Sequence, residues 1–342
     1  MQKRAKRPAG APDKSLARPV TKVGIVGAGL MASQMALLFV RRLEVPVVLT
    51  DLDQERVDKG VGYVHAEIDK LLAKGRINQD KANRHKALVT GSVDKAAECV
   101  LATNTSSLSI TEMAADLEHP ERVVGFHFFN PVAVMPLLEI VQGEKTDDAT
   151  LATAFGTGKA LKKTTILVQD SPSFIVNRLL GRFMSEVSRI LDEGTPIDVV
   201  DGAFAGVAPM PPFTLIALVG PAIALHNTET LAAAFPDRFY VSPALERVVA
   251  AKKGAYFGPD GSLDPEVEAL LEKPAEPKVL AKEEVRRTVL SGLAQEARLM
   301  LDEGVVAAAE DLDLAMITGA GFAFWNGGLT MLLEREGLGS FH

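Results

Sequence analysis

Apolar residues recur along this chain in two different rhythms. Between Lys22 and Asp170, short apolar runs alternate with amphipathic stretches. Val23-Gly24-Ile25-Val26 reads as a buried parallel strand, Leu30–Arg42 as a helix and Val45–Thr50 as a second strand. Gln54–Lys74 carries Val57, Val61, Val64, Ile68 and Leu71 at three- and four-residue intervals, one face of a helix that Gly75 ends. Asp80–Lys86 predicts a further helical turn or two. Strands are predicted at Ala87–Thr90, Val100–Thr103, Val123–Phe128 and Thr165–Val168, with an apolar stretch at Leu137–Val141. This alternation implies an α/β unit: a Rossmann-type, mostly parallel sheet covered on both faces.

After Asp170 the strand signal fades and helical patterns dominate. Leu191-Asp192-Glu193-Gly194 recurs as Leu301-Asp302-Glu303-Gly304, and Glu186 and Glu296 keep the same offset. Each copy is followed by an acidic-apolar helix, Ile197–Phe204 and Leu312–Thr318, so the all-α part contains an internal duplication. The expected division is 1–19 tail, 20–170 nucleotide domain, 171–270 first helical unit and 271–342 second. Residues 254–282, rich in Gly, Pro and Glu, read as a surface connection, and 1–19, with three prolines and no apolar period, as a flexible linker.

Composition narrows the function classes. A chain of 342 residues, 47% apolar and 24% charged, has a core to bury. No apolar run approaches the ~20 residues needed to cross a bilayer. The single Cys99 excludes a disulfide framework and a four-cysteine zinc site, no metal is expected, and a reducing compartment, the cytoplasm, is. Net charge is −7, but residues 1–19 hold six Lys/Arg against Asp13, leaving 31 basic and 43 acidic residues in the rest. So acidic a body is a poor partner for nucleic acid.

Two motifs carry chemistry. Gly27-Ala28-Gly29-Leu30-Met31-Ala32 stands between a strand and a helix. The first glycine permits a tight turn and the second a close approach of backbone to pyrophosphate, which helix N–H groups then hold. Asp51, at the end of the second strand, accepts from a ribose 2′-OH and repels a 2′-phosphate, so NAD is favoured over NADP. The second motif is Gly125-Phe126-His127-Phe128-Phe129-Asn130-Pro131, followed by Glu139. A histidine among aromatics is ordinarily a core residue, but a carboxylate in an apolar segment needs a partner. A chain reversal at Asn130–Met135 turns that carboxylate toward the imidazole, giving a base for a hydroxyl proton beside a hydride acceptor. Thr103-Asn104-Thr105-Ser106-Ser107 either donates to a substrate oxygen or caps a helix over Ser109–Leu117. Asp170–Arg178 opens the helical part, with Pro172 in the first helical turn and Asn177 one to two turns in.

In this order and spacing the motifs resemble the L-3-hydroxyacyl-CoA dehydrogenase family, from about Val20 to Leu333, and most the dehydrogenase half of multifunctional fatty-acid-oxidation proteins. The resemblance implies NAD-dependent oxidation of L-3-hydroxyacyl-CoA to 3-ketoacyl-CoA in β-oxidation. His127 is then the base, Glu139 its partner, Ser106 the holder of the 3-oxygen and Asn177 a support from the helical part. Gly27, Gly29, Leu30, Met31, Asp51 and Asn104 are the implied cofactor contacts. Gln54–Lys86 is similar to the family's helical arm over coenzyme A. The second repeat copy stands where single-unit relatives place a dimer partner. Residues 1–19 are similar to the linker after an enoyl-CoA hydratase half, so hydratase and thiolase partners are implied. A dehydrogenase of small free 3-hydroxy acids and a catalytically impaired helical interaction module are the alternatives.

This sequence departs from the family pattern at Ala32, Ser173, Ala217 and Pro209-Met210-Pro211-Pro212. The larger departure is Gly91–Cys99, nine residues between two strands whose parallel crossover needs a dozen or more. Relatives carry here a further strand, its nucleotide-contacting loop with an active-site glutamate, and a helix. In the doubly wound order that strand lies beside the first, so this sheet lacks one central strand. Val100–Thr103 must then slide across by about 4.8 Å, one strand spacing, or leave the sheet split.

Overall fold

The computed structural model describes residues 8–93, 99–208, 210–272, 274–322 and 324–342. Residues 1–7 of the tail, 94–98 of the short connection and Pro209 therefore lie outside the described residues. Two compact units emerge: a sheet unit that runs to Thr105 and resumes over Ile110–Leu167, and a helical unit of Ser106–Ser109 and Val168–His342.

In the sheet unit, β1 (Val23–Val26), β2 (Val47–Thr50) and β3 (Val89–Ser92) form one parallel sheet, with Val23 opposite Val47 and Val47 opposite Val89. A second sheet has the order β4 (Leu101–Thr103), β5 (Val123–Phe128), β6 (Leu137–Gln142), β7 (Thr164–Gln169). β4 runs parallel to β5, and β6 antiparallel to it. Among the described residues no ladder joins β1 to β4, so the sheet is split rather than closed by a slide. This corrects the reading of β1 as a buried strand. It is an edge, and Val26 is 79% exposed. Leu101 on the other bare edge is 42% exposed.

The halves nevertheless share one apolar core. Ile25, Leu49 and Val89 from the first sheet cluster with Phe126, Phe128 and Ile140 from the second, and with Phe39 and Val40 of α1 (Leu30–Leu43). Burial of that area is non-directional and survives a break in the hydrogen-bonded ladder. Helix α2 (Gln54–Ala73) starts at Asp53, whose side chain accepts from the Arg56 N–H, and buries the stripe Val57, Gly60, Val64 and Ile68. α3 (Gln79–Ala87) outlasts its expected end and delays β3 to Val89, while α4 covers only Ile110–Ala114. Residues 8–19, expected as free linker, instead dock on α5 (Asp148–Ala160) through a 3₁₀ turn at Lys14–Leu16, and the Arg18 N–H donates to Thr153 Oγ1 at 2.9 Å.

In the helical unit, α6 (Val176–Asp192) packs on α12 (Lys282–Asp302), the paired copies of the repeat. Both end alike: Gly194 (φ 110°) and Gly304 (φ 67°) take the left-handed conformation open to glycine, and their N–H groups donate to Leu191 and Leu301. α7 (Ile197–Gly202) and α13 (Ala309–Ala320) follow. Each carries a carboxylate that caps a later helix: Asp201 accepts from the Phe213 N–H of α8 (Pro212–Val219), and Asp313 from the Thr330 N–H of α14 (Leu329–Arg335). Between the copies run α9 (Pro221–Ala234), α10 (Pro243–Ala250) and α11 (Pro265–Glu268). The connection 254–282 is not all surface, since Tyr256 and Val267 are buried and the Tyr256 ring lies 5.0 Å from that of Phe213. Among the described residues no single helix is long and apolar enough to cross a membrane; α8 and α9 together reach that composition but meet at 97°.

Candidate active site

The turn after β1 has the geometry that its glycines foreshadow. Gly27 sits at φ 98°, a conformation that a side chain disfavours, and its N–H donates to the Thr50 carbonyl. Gly29 caps α1 in extended conformation with no side-chain partner for the first helical N–H groups, Leu30 is exposed and Met31 half-buried. Asp51 faces this turn. Its Oδ2 accepts from the Ala28 N–H and its Oδ1 from the Leu52 N–H, both at 2.7 Å. These two N–H groups, then Arg56 at 3.7 Å, hold the carboxyl below the usual carboxylate range. An ionised acceptor beside a glycine turn and an uncapped helix N-terminus fits the adenosine ribose and pyrophosphate of a dinucleotide.

The sequence pattern misses the residue that lets this turn approach α2. A Cβ on Gly60 would stand 2.9 Å from both the Ala28 carbonyl and its side chain. A lone glycine within a helical period is the signal that could have found it.

The expected reversal after β5 is present. His127 and Glu139 are directly opposed on β5 and β6, and the imidazole Nδ1 lies 2.6 Å from Glu139 Oε2. Both side chains are buried, Glu139 fully. An ionised carboxylate only accepts, so Nδ1 carries the proton of the neutral ring and Nε2 is the basic nitrogen. The Phe129 ring is 4.6 Å from the imidazole. Asn104 sits at the end of β4, where its Oδ1 accepts from the Phe128 N–H at 2.9 Å and fixes the strand beside His127.

Two side chains with no sequence signature fasten the reversal. Gln34 of α1 accepts from the Val132 N–H at 3.0 Å. Lys163, just before β7, donates to the carbonyls of Val132 and Met135, with its ammonium 5.8 Å above the Phe128 ring. Burial, reinforced by Arg42, pushes the Lys163 ammonium down to about 8.

Ser106 and Asn177 belong to the helical unit. Ser109 Oγ donates to Asp170 Oδ2 at 2.6 Å and ties the stretch that holds Ser106 to the opening of that unit. Pro172 precedes α6 rather than opening it, because Ser173 and Phe174 adopt φ of 60° and 54° and delay the helix to Val176. Asn177 is thus in the first helical turn, half-buried, and its backbone carbonyl accepts from Asn227 Nδ2 at 3.0 Å. Among the described residues no three His, Cys, Asp or Glu side chains gather as a metal site would require.

Residues 22–97 and 86–171 match the family described as 3-hydroxyacyl-CoA dehydrogenase, NAD binding domain, and residues 174–256 its C-terminal domain. The two pieces of the first match overlap at the short connection. The chain is similar to a fatty acid oxidation complex subunit alpha of Idiomarina loihiensis, 30% identical over 377 residues, covering 96% of this chain and 52% of that one. It is also similar to a peroxisomal fatty acid beta-oxidation multifunctional protein of Arabidopsis thaliana, 28% identical over 371 residues, with 94% and 51% covered. The chain thus spans about half the length of these relatives, and alignments longer than 342 positions place in them segments that it lacks. Among solved structures, a (S)-3-hydroxybutyryl-CoA dehydrogenase from Ralstonia eutropha is 31% identical, with TM-score 0.63 and coverage of 71% of this chain and 96% of that one. A 3-hydroxybutyryl-CoA dehydrogenase from Escherichia coli shares the fold, with TM-score 0.75 at 22% identity over 93% and 94% of the chains.

Proposed function

Since the chain belongs to the 3-hydroxyacyl-CoA dehydrogenase family, with that family's NAD-binding domain ahead of its helical domain, we propose that it oxidises L-3-hydroxyacyl-CoA to 3-ketoacyl-CoA. The observation that carries the reading is the buried His127–Glu139 pair on adjacent antiparallel strands.

His127 Nε2 takes the proton of the substrate's 3-hydroxyl, while Glu139 keeps Nδ1–H oriented and stabilises the imidazolium. NAD⁺, when bound, supplies the acceptor for the hydride leaving C3. Asp51 and the Gly27–Ala32 turn bind its adenosine end, and Asn104 holds the His127 strand in place. On this reading Ser106 holds the substrate's 3-oxygen and Asn177 supports the site. An enoyl-CoA hydratase supplies the substrate and a thiolase consumes the product, as separate proteins or as parts of a longer chain. The cytoplasm is the compartment in which we place the reaction.

Following NADH oxidation with acetoacetyl-CoA tests this directly. Turnover that His127→Gln abolishes while NADH binding persists is expected. Turnover unaffected by His127→Gln overturns the base assignment. The split sheet favours a second reading, an impaired form whose helical unit folds beside a weakened nucleotide site. Absence of NADH binding in calorimetry by a folded chain would decide for it.

A further inference from the structure

The helical unit contains a buried ionic cluster that the reaction described above does not use. Arg178, fully buried on α6 next to Asn177, donates through Nε to Glu296 Oε1 and through Nη2 to Glu303 Oε2, both at 2.7 Å. Glu296 and Glu303 both belong to the second copy of the repeat. Glu296 is the counterpart of Glu186, which instead pairs with Arg182 of its own helix at 2.9 Å. Arg238 closes the cluster at 3.0 Å from Glu303 Oε1, and the Phe235 ring lies 4.5 Å from the Arg178 guanidinium and 3.9 Å from that of Arg238. The third bond of Arg178 points backward along its own chain: Nη1 donates to Ser171 Oγ at 2.9 Å.

That last bond ends on the turn that aims α6. Ser173 and Phe174 hold left-handed backbone conformations there with side chains other than glycine, which persist only when the surroundings enforce them. Ser171 is fixed by Arg178. Ser173 Oγ donates to Asn227 Oδ1 at 2.8 Å, and the Asn227 amide donates in turn to the Asn177 carbonyl. Polar contacts therefore run from the second copy through Arg178 to Ser171 at one end of the turn, and a second set runs from Ser173 through Asn227 to the Asn177 carbonyl. The copies pack closely there, since a Cβ at Gly292 would stand 3.0 Å from Glu186 and 3.1 Å from Arg182.

We infer that the second copy of the repeat is a positioning device for Asn177, with Glu296 and Glu303 as positioning residues acting through Arg178 and Ser171. This rests on the reading of Asn177 as an active-site residue. The duplicated helices thus supply from within the same chain the acidic anchor of the helix end that bears Asn177.

The test uses the full chain with Glu296→Gln, Glu303→Gln, Asn177→Ala and the double variant Glu303→Gln/Asn177→Ala. Glu303 is part-exposed, so its variant keeps the test open if the buried Glu296→Gln fails to fold. Either glutamine variant should lower kcat for acetoacetyl-CoA-dependent NADH oxidation tenfold or more, with KM for NADH within twofold. In the Asn177→Ala background, Glu303→Gln should change kcat less than twofold, because its route of action is already gone. Amide exchange over 171–177 should rise tenfold in Glu303→Gln while 285–300 stays protected. Unchanged kcat, additive effects in the double variant, or unchanged exchange at 171–177 overturns the inference. If the wild-type chain shows no turnover, the functional reading fails by itself and the exchange measurement alone decides the anchoring.

Discussion

Glu139 reaches His127 sideways, across the ladder that joins β6 to β5, with 2.6 Å between carboxylate and imidazole. The backbone register, rather than a flexible loop, therefore sets the distance between imidazole and carboxylate. Glu139→Gln keeps the shape but can donate where only an acceptor orients the ring. It should lower kcat by about 10²–10⁴-fold, with NADH affinity unchanged in calorimetry. Glu139→Ala adds a cost of about 1–3 kcal/mol for the buried imidazole Nδ1 that loses its acceptor, readable as a lower denaturant midpoint.

Asp51 is held by two backbone N–H groups and approached by Arg56. Asp51→Ala removes the proposed ribose acceptor and frees Arg56 to face a 2′-phosphate. NAD affinity should fall about ten- to a hundredfold, the worth of a hydrogen bond to a charged group. The NADP-to-NAD affinity ratio should rise, and titration of both cofactors checks it.

Gly60→Ala forces a methyl group against the Ala28 backbone. Overpacking of this kind costs about 1–3 kcal/mol. The melting temperature should fall and NADH binding should weaken, because the displaced strand-to-helix turn is the one proposed to hold the pyrophosphate. An equal loss of stability with unaltered NADH affinity would separate the packing role from the binding role.

Burial pushes the Asp201 carboxyl up to about 6, opposed only by the Phe213 N–H that it caps. A raised acid binds a proton more tightly folded than unfolded. Its contribution to stability is therefore present below the unfolded value near 4 and is lost as pH rises through about 6. Asp201→Asn retains an oxygen for Phe213 and removes the ionisation. The variant's melting temperature should gain on the wild type between pH 4 and pH 7, and thermal unfolding across that range measures it.

Much of the site was legible because its chemistry is local or periodic. Glu139 in an apolar segment demanded a partner, and a reversal at Asn130–Met135 offered one. The nine residues from Gly91 to Cys99 announced a missing crossover, and β1 became an edge. What stayed hidden depends on side chains meeting across long sequence separations. Arg178 and Glu296 are 118 residues apart, and no spacing rule links them. The same holds for Lys163 and the carbonyls of Val132 and Met135. The delayed start of α6 was hidden for another reason: Ser173 and Phe174 adopt a backbone that their side chains ordinarily avoid, so the proline before them misleads.

The split between β1 and β4 falls at the topological switch point, where doubly wound folds open their crevice. Strand order reverses there, and the helices on either side cover their own strands. A parallel sheet can thus lose a strand at its middle and keep two intact halves, whereas a loss elsewhere would strip a helix of the surface it packs on. The place most exposed to chemistry is then also the place where such an architecture can be cut and rejoined.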